Sequence, residues 1–330
     1  MRDFVRKQWF LFVLVGAVLF GYFCPGPGLF LRKSLSIQWF IMPTLFLMSF
    51  SLKTGAIFRS FLNVRGLASA VVGGYILTAL SLYLLGRVFF PGNPDLALGL
   101  IACGATPCTL ASAAIWTRLA GGNDALALAI TIVSNLTSFI FSPIILLVTL
   151  GSAVSPPFGR IMTSLFTAIV IPVALGQVLR IWFGAFADRR KRVISGVCQL
   201  LILLVVLVAV SHASQTAARA EGAGLTGATV ALLVVAVGAG HLFALVGCAL
   251  VARSLGAPAE DVGAVMFGGS QKTLPVGIYI AEMIAAARPD ETLVFIALPI
   301  LIYHATQLTI DSFLVGPYRR CVIGEEDVEA

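Results

Sequence analysis

Ten runs of apolar residues, each bounded by charges or by Gly and Pro, divide the chain into residues 9–24, 35–51, 66–90, 94–119, 124–150, 160–183, 193–214, 225–251, 259–286 and 292–316. Roughly 20 apolar residues is the length that crosses a bilayer as a helix. The pattern therefore predicts an all-α integral membrane protein with ten transmembrane helices. Short connections between the runs predict one compact bundle. The run Trp9 to Tyr22 has the look of a signal-peptide core, but Cys24-Pro-Gly-Pro27 is a poor cleavage site and more spans follow, so it is read as the first helix.

Composition points the same way. Hydrophobic residues make up 59% of the chain and charged residues 11%, with mean hydropathy +0.99. A soluble domain carries roughly 25% charged residues, so much of this surface must face lipid, and no sizeable soluble domain is left over. The net charge of +7 sits in short loops, where it sets topology rather than binding nucleic acid, and no nucleic-acid motif is present. Fifteen Lys and Arg fall on one side (Arg2, Arg6, Lys7, Lys53, Arg59, Arg65, Arg118, Arg180, Arg189 to Arg192, Arg253, Arg319 and Arg320) and six on the other (Arg32, Lys33, Arg87, Arg160, Arg219 and Arg288). Lys272 completes the 22. The excess predicts that both termini are cytoplasmic; a monomeric multi-pass protein of the cell membrane, plasma or inner, is expected. Asp188 to Arg192 reads as a topology anchor, with an anionic-lipid contact as the alternative. Glu325 to Glu329 reads as a solvated tail. The six cysteines (Cys24, Cys103, Cys108, Cys198, Cys248, Cys321) show no metal-ligand or disulfide spacing.

An internal repeat is the most informative feature. Cys103 to Ala113 in the fourth run and Phe267 to Gly277 in the ninth align so that Gly104 meets Gly268, Ala105 Gly269, Thr106 Ser270, Thr109 Thr273 and Leu110 Leu274. A five-helix unit has an odd helix count, so its second copy enters the membrane from the opposite side, the inverted-repeat logic of many transporters. The units are residues 1–150 and 151–330. Each matched stretch carries Gly, a polar pair and a Pro (Pro107, Pro275). Such residues weaken a helix where no water can satisfy the freed backbone, so two broken helices are expected to cross near the midplane.

Other polar residues gather in the same helices: Thr131, Ser134, Asn135, Thr137 and Ser138 in the fifth; His241 in the eighth; Ser270, Gln271, Lys272 and Thr273 in the ninth; Tyr303, His304 and Gln307 in the tenth. The first and seventh are apolar around Gly16 and Leu203. This predicts a polar core of helices three to five and eight to ten moving against a panel of helices one, two, six and seven. The binding residues expected are Thr106, Thr109, Ser112, Thr131, Ser134, Asn135, His241, Ser270, Gln271, Lys272, Thr273, His304 and Gln307. Lys272 lies far from either end of its run, and a lone ammonium there costs several kcal/mol unless compensated. Carbonyls of the broken helices, Asp311 or a bound anion are the candidates.

The chain resembles the bile acid:sodium symporter family, solute carrier family ten and its bacterial relatives, and looks most like the branch of the orphan seventh vertebrate member. The stretches that carry the likeness are Gly121-Gly-Asn-Asp124, Ile171-Pro with Gly176-Gln177 and Arg180, Gly269-Ser-Gln-Lys272, and Leu298-Pro with Leu301-Ile-Tyr-His304. The resemblance implies a secondary transporter with ten helices, inverted repeats and sodium as coupling ion, acting on a small or amphipathic organic anion, with no cofactor beyond sodium. Sodium-coupled members carry an acidic residue in the ninth-helix crossing; here Gln271 stands there, followed by Lys272. The site left to sodium is weak, at Ser112, Asn135 and Gln271, because hard cations favour anionic oxygen. Lys272 is expected to stand in for the ion, leaving transport sodium-independent or driven by protons. Pro107-Cys-Thr109 also resembles the related arsenite extruders, so metalloid efflux is an alternative, and a non-transporting membrane regulator is another. An intramembrane hydrolase is disfavoured, because neither G-x-S-x-G nor H-E-x-x-H occurs.

Overall fold

The computed structural model describes residues 9–53, 60–150, 158–219, 226–287 and 293–323. Arg2, Arg6, Lys7, Arg59, Arg288 and the acidic tail, which enter the charge count and the tail reading, lie outside the described residues. The described residues form helices without a strand: α1 Trp9–Phe23, α2 Gly26–Ser34, α3 Gln38–Phe50, α4 Val64–Phe89, α5 Pro94–Gly104, α6 Ser112–Leu119, α7 Asp124–Leu150, α8 Phe158–Leu165, a π-helical turn Phe166–Val170, α9 Ile171–Arg189, α10 Lys191–Arg219, α11 Gly227–Ser254, α12 Ala259–Ser270, α13 Leu274–Ala287 and α14 Leu293–Ile323.

Six described helices are long and apolar enough to cross a membrane: Val64–Phe89, Asp124–Leu150, Phe158–Arg189, Lys191–His212, Gly227–Ser254 and Phe295–Arg320. A seventh span results if Val13–Phe23 and Gly26–Ser34, bent by 88°, count as one. Ten spans, with the fourth and ninth broken, were expected; among the described residues these six or seven pass by length and composition. Helix α3 has 13 residues, about 20 Å at 1.5 Å per residue against a hydrocarbon core of about 30 Å. The fourth and ninth runs are each split into two short helices. Helix α2 falls where a loop was expected after Cys24. Its Pro27 sits in the first turn, where a missing N–H costs nothing.

Large apolar side chains such as Val148, 77% exposed, and Phe23, 74%, cover the outside, as lipid contact requires. Inside, small residues let backbones approach closely. A Cβ on Gly104 would lie 2.7 Å from Cα of Ala79, and one on Gly74 would lie 2.6 Å from the Gly269 carbonyl oxygen, so α4 sits directly on both α5 and α12. The stretch Gly176-Gln177 with Arg180 fastens α9 to α3: Gln177 donates to the Ser49 carbonyl at 2.6 Å, Ser49 Oγ to that of Val173 at 2.7 Å, and Arg180 to that of Phe50 at 2.8 Å. Gly121-Gly-Asn-Asp124 ends α6 and starts α7. Gly121 takes φ +75°, Asn123 Oδ1 caps α7 by accepting from Leu126, and Asn123 Nδ2 donates to Asp261 at 2.8 Å. Asp261 also accepts from Asn63 at 2.7 Å. The first turns of α4, α7 and α12 are thereby held at one point.

Candidate functional site

The two helix breaks meet. Residues 105–111 leave helical geometry between α5 and α6, and residues 271–273 do so between α12 and α13. Pro107 lies inside the first break. Pro275 is the second residue of α13, so it starts that half-helix rather than kinking it. Gln271 takes extended backbone angles, φ −74° and ψ 145°. The Thr273 N–H donates to the Pro107 carbonyl at 3.0 Å. Backbone groups freed by one break thus satisfy groups freed by the other, as an anhydrous interior demands.

Gln271 is the polar hub. Its Oε1 accepts from Thr109 Oγ1 at 2.8 Å and from Ser112 Oγ at 2.6 Å, and its Nε2 donates to Asp311 Oδ2 at 2.5 Å. Asp311 Oδ1 lies 2.9 Å from His241 Nε2, both side chains being fully buried. The Tyr303 hydroxyl donates to the Ser270 carbonyl at 2.7 Å and stands 3.3 Å from His241 Nδ1. One chain of contacts therefore joins α11, α14, the α12 break and the start of α6.

Lys272 lies beyond it, 2% exposed. Its Nζ donates to the Gly74 carbonyl at 2.9 Å and reaches that of Gly104 at 3.5 Å. It also lies 5.2 Å from the centre of the Tyr75 ring. Gly104 ends α5, so the ammonium meets the negative end of that half-helix. Of the candidates for compensating it, the carbonyls provide the observed partners, whereas both oxygens of Asp311 are engaged by His241 and Gln271. The Lys272 backbone is clamped on both sides by Gln307, whose Oε1 accepts from the Lys272 N–H at 2.7 Å and whose Nε2 donates to its carbonyl at 2.9 Å.

The remaining expected site residues divide into two groups. Ser134 Oγ accepts from the Cys108 N–H at 3.0 Å, and Asn135 Nδ2 donates to the Cys108 carbonyl at 2.8 Å, so α7 holds the first break from behind. Asn135 Nδ2 also donates to Thr131, leaving Oδ1, buried, without a hydrogen-bond partner. Thr106, Thr131 and Ser270 turn their hydroxyls onto their own helices, and His304 contacts Gln307 at 3.0 Å. Within the trio expected for sodium, Ser112 and Gln271 bond to each other, while Asn135 bonds to the Cys108 backbone. Asp311, Tyr303, Tyr75 and the Gly74 carbonyl were absent from the expected site. Asp311 had a signal, as the only carboxylate in residues 292–316; a backbone carbonyl on α4 had none.

A family model described as the SBF-like CPA transporter family matches residues 8–320. Sodium/bile acid cotransporter 7 of Danio rerio is 27% identical, with 98% of this chain and 96% of that protein covered. An uncharacterised protein of Pseudomonas aeruginosa is 33% identical over 69% of this chain and 67% of its own length. A probable chloroplastic sodium/metabolite cotransporter of Oryza sativa is 31% identical over 73% of this chain and 58% of its own. The family match runs across both helix breaks and the residues that join them, and the chain accordingly belongs to the SBF-like CPA transporter family, a multi-pass membrane transporter of the bile acid:sodium symporter kind and not an enzyme.

Proposed function

We propose that the chain is a secondary active carrier for a small or amphipathic organic anion, working by alternating access at the crossing of the two breaks. The observation that carries this reading is the meeting of the breaks through Thr273 and Pro107, with the Gln271 hub beside it. In this reading ten segments form two inverted repeats, residues 1–150 and 151–330. The core, α4 to α7 with α11 to α14, moves against α1 to α3 and α8 to α10. The half-helix ends at the crossing offer positive N-termini to an anion. Both termini are cytoplasmic, and the carrier acts as a monomer in the cell membrane.

Lys272 takes the place of the coupling cation. Its ammonium rests on the Gly104 carbonyl, at the C-terminal end of α5, where a bound cation would otherwise offset the helix dipole. Transport is then independent of sodium. The test is uptake of taurocholate, as an amphipathic probe anion, by proteoliposomes under a sodium gradient and, separately, a pH gradient. Uptake without sodium supports the reading, and a steep sodium dependence overturns it. One observation favours sodium instead: the unpartnered Oδ1 of Asn135 is a buried acceptor suited to a hard cation. On that reading Asn135→Ala removes sodium-dependent uptake.

A further inference from the structure

His241 and Asp311 make the one buried imidazole–carboxylate pair among the described residues. Intramembrane ionisable groups are costly and mark ion or proton pathways. The hydrogens around this imidazole can be assigned from its neighbours. A carboxylate only accepts, so the Nε2 facing Asp311 carries a hydrogen. Nδ1 faces the Tyr303 hydroxyl at 3.3 Å. That hydroxyl has a single hydrogen, engaged by the Ser270 carbonyl at the shorter distance of 2.7 Å. Its oxygen lone pairs are what remain for Nδ1. Two acceptors therefore face each other in the neutral imidazole, and a proton on Nδ1 would convert that contact into an N–H···O bond.

We propose that His241 is the proton-binding site of this carrier, taking one proton on Nδ1 and holding it as an imidazolium between the Tyr303 oxygen and the Asp311 carboxylate. The Nδ1 lone pair forms the new N–H bond, no other bond breaks, and the pair passes from net charge −1 to zero. Both neighbours of the imidazole lead to the crossing. Tyr303 holds the last carbonyl of α12, and the second oxygen of Asp311 holds Gln271, which in turn holds Thr109 and Ser112. A change of charge on the pair thus reaches the parts of both breaks that the anion would meet. The proposal rests on the transport reading above and names its coupling ion: a proton enters with the anion.

The other ionisable groups near the pair are few. Cys248 comes from α11 itself, Cys103 and Cys108 from the α5–α6 segment, and Lys272 from the α12 break. Helix α4 adds Tyr75, placed against Lys272, α14 adds His304, turned to Gln307, and α10, which also packs on α14, carries His212. Lys272 is the cation of this set, and its ammonium is directed at the Gly74 and Gly104 carbonyls rather than at Asp311.

The test uses the full chain with nitrogen-15 in its three histidines, reconstituted in lipid bilayers, with imidazole resonances recorded from about pH 5 to pH 8. His212→Gln and His304→Gln assign the His241 signal by elimination, even if His241→Gln fails to fold. The expected result is that His241 passes from one ring proton to two across this range. His241 remaining in one protonation state throughout overturns the proposal. A titrating His241 in a chain that carries no anion upholds the proton site and overturns the transport reading. Anion uptake with a silent His241 and no response to a pH gradient does the reverse.

Discussion

Thr273 donates its backbone N–H to the carbonyl of Pro107 across 3.0 Å, so the two helix breaks are one structure rather than two independent kinks. Neither break could stand alone in an interior without water, because each would leave peptide groups unsatisfied. The same reciprocity extends to side chains: Gln271 accepts from Thr109 and Ser112 of the first break, and Asn135 holds Cys108.

Gln271→Leu should therefore be among the most damaging changes of one side chain. It removes the acceptor for two hydroxyls and a donor to Asp311, and each buried group left unsatisfied costs about 1–3 kcal/mol. The expected result is a fall in thermal stability in detergent, larger than that of Thr109→Val or Ser112→Ala taken singly. If Gln271→Leu unfolds no earlier than either of those, the hub is not where the crossing draws its stability.

Close approach makes a second prediction. A Cβ on Gly269 would lie 2.5 Å from Sγ of Cys248, with the next nearest atoms at 3.3 Å. Gly269→Ala is expected to cost about 1–3 kcal/mol by overpacking. Cys248→Ala removes the clashing sulfur and should recover most of that loss when combined with it. A double-mutant cycle of thermal unfolding measures the coupling; additive effects would show that the obstruction is backbone rather than the thiol.

How much of this was legible before the structure follows from the same residues. Apolar runs located the helices, since lipid-facing and buried positions alike are apolar. The breaks were legible because Gly104, Pro107 and Gly268-Gly269 interrupt runs that are otherwise good helices. Helix α2 was not, because Pro25-Gly26-Pro27-Gly28 has the composition of a turn. Gly28 is there to admit Ser211, whose Oγ would lie 2.3 Å from an added Cβ, and that is a fact about α10. The partners of Asp311 stayed open for a related reason. Spacing along α14 places the carboxylate on a face but does not reveal which of Lys272, His241 and Gln271 that face meets.

A third prediction concerns the contact between α2–α3 and α13. Arg32 pairs with Glu282, and Gln38 donates to the Tyr279 hydroxyl. These polar contacts join helices that the transport reading assigns to different moving parts. Contacts of this kind hold one arrangement against another. Arg32→Ala combined with Tyr279→Phe should lower the melting temperature, because the largely buried Glu282 loses its cation, and raise the rate at which a cysteine introduced at Thr106 reacts with a maleimide added from the Arg32 side. An unchanged labelling rate would mean that these contacts do not govern access.

Lys272 provides the last prediction. Its ammonium is bonded to the Gly74 carbonyl and reaches that of Gly104, and its backbone is clamped by Gln307. Lys272→Ala leaves the Gly104 carbonyl at the end of α5 facing a cavity, at about 1–3 kcal/mol for an unsatisfied group, takes the second partner from the Gly74 carbonyl inside α4, and removes the positive charge at the end of α5. The Gln307 clamp uses only backbone atoms of residue 272, so the break should survive the substitution. The expected outcome is a chain that still folds, with lower stability and no anion uptake. Lys272→Arg is not a harmless alternative, because a planar guanidinium is larger and its donors diverge. The informative partner is Gln271→Glu. With Lys272→Ala it places a carboxylate oxygen where Thr109 and Ser112 already converge, which supplies the anionic oxygen a hard cation requires. Uptake by the double variant should become sodium-dependent, whereas on the reading proposed above the unmodified chain should be indifferent to sodium. If the double variant stays inactive in sodium while Gln271→Glu alone transports normally, the ammonium serves the anion directly and does not replace a coupling cation.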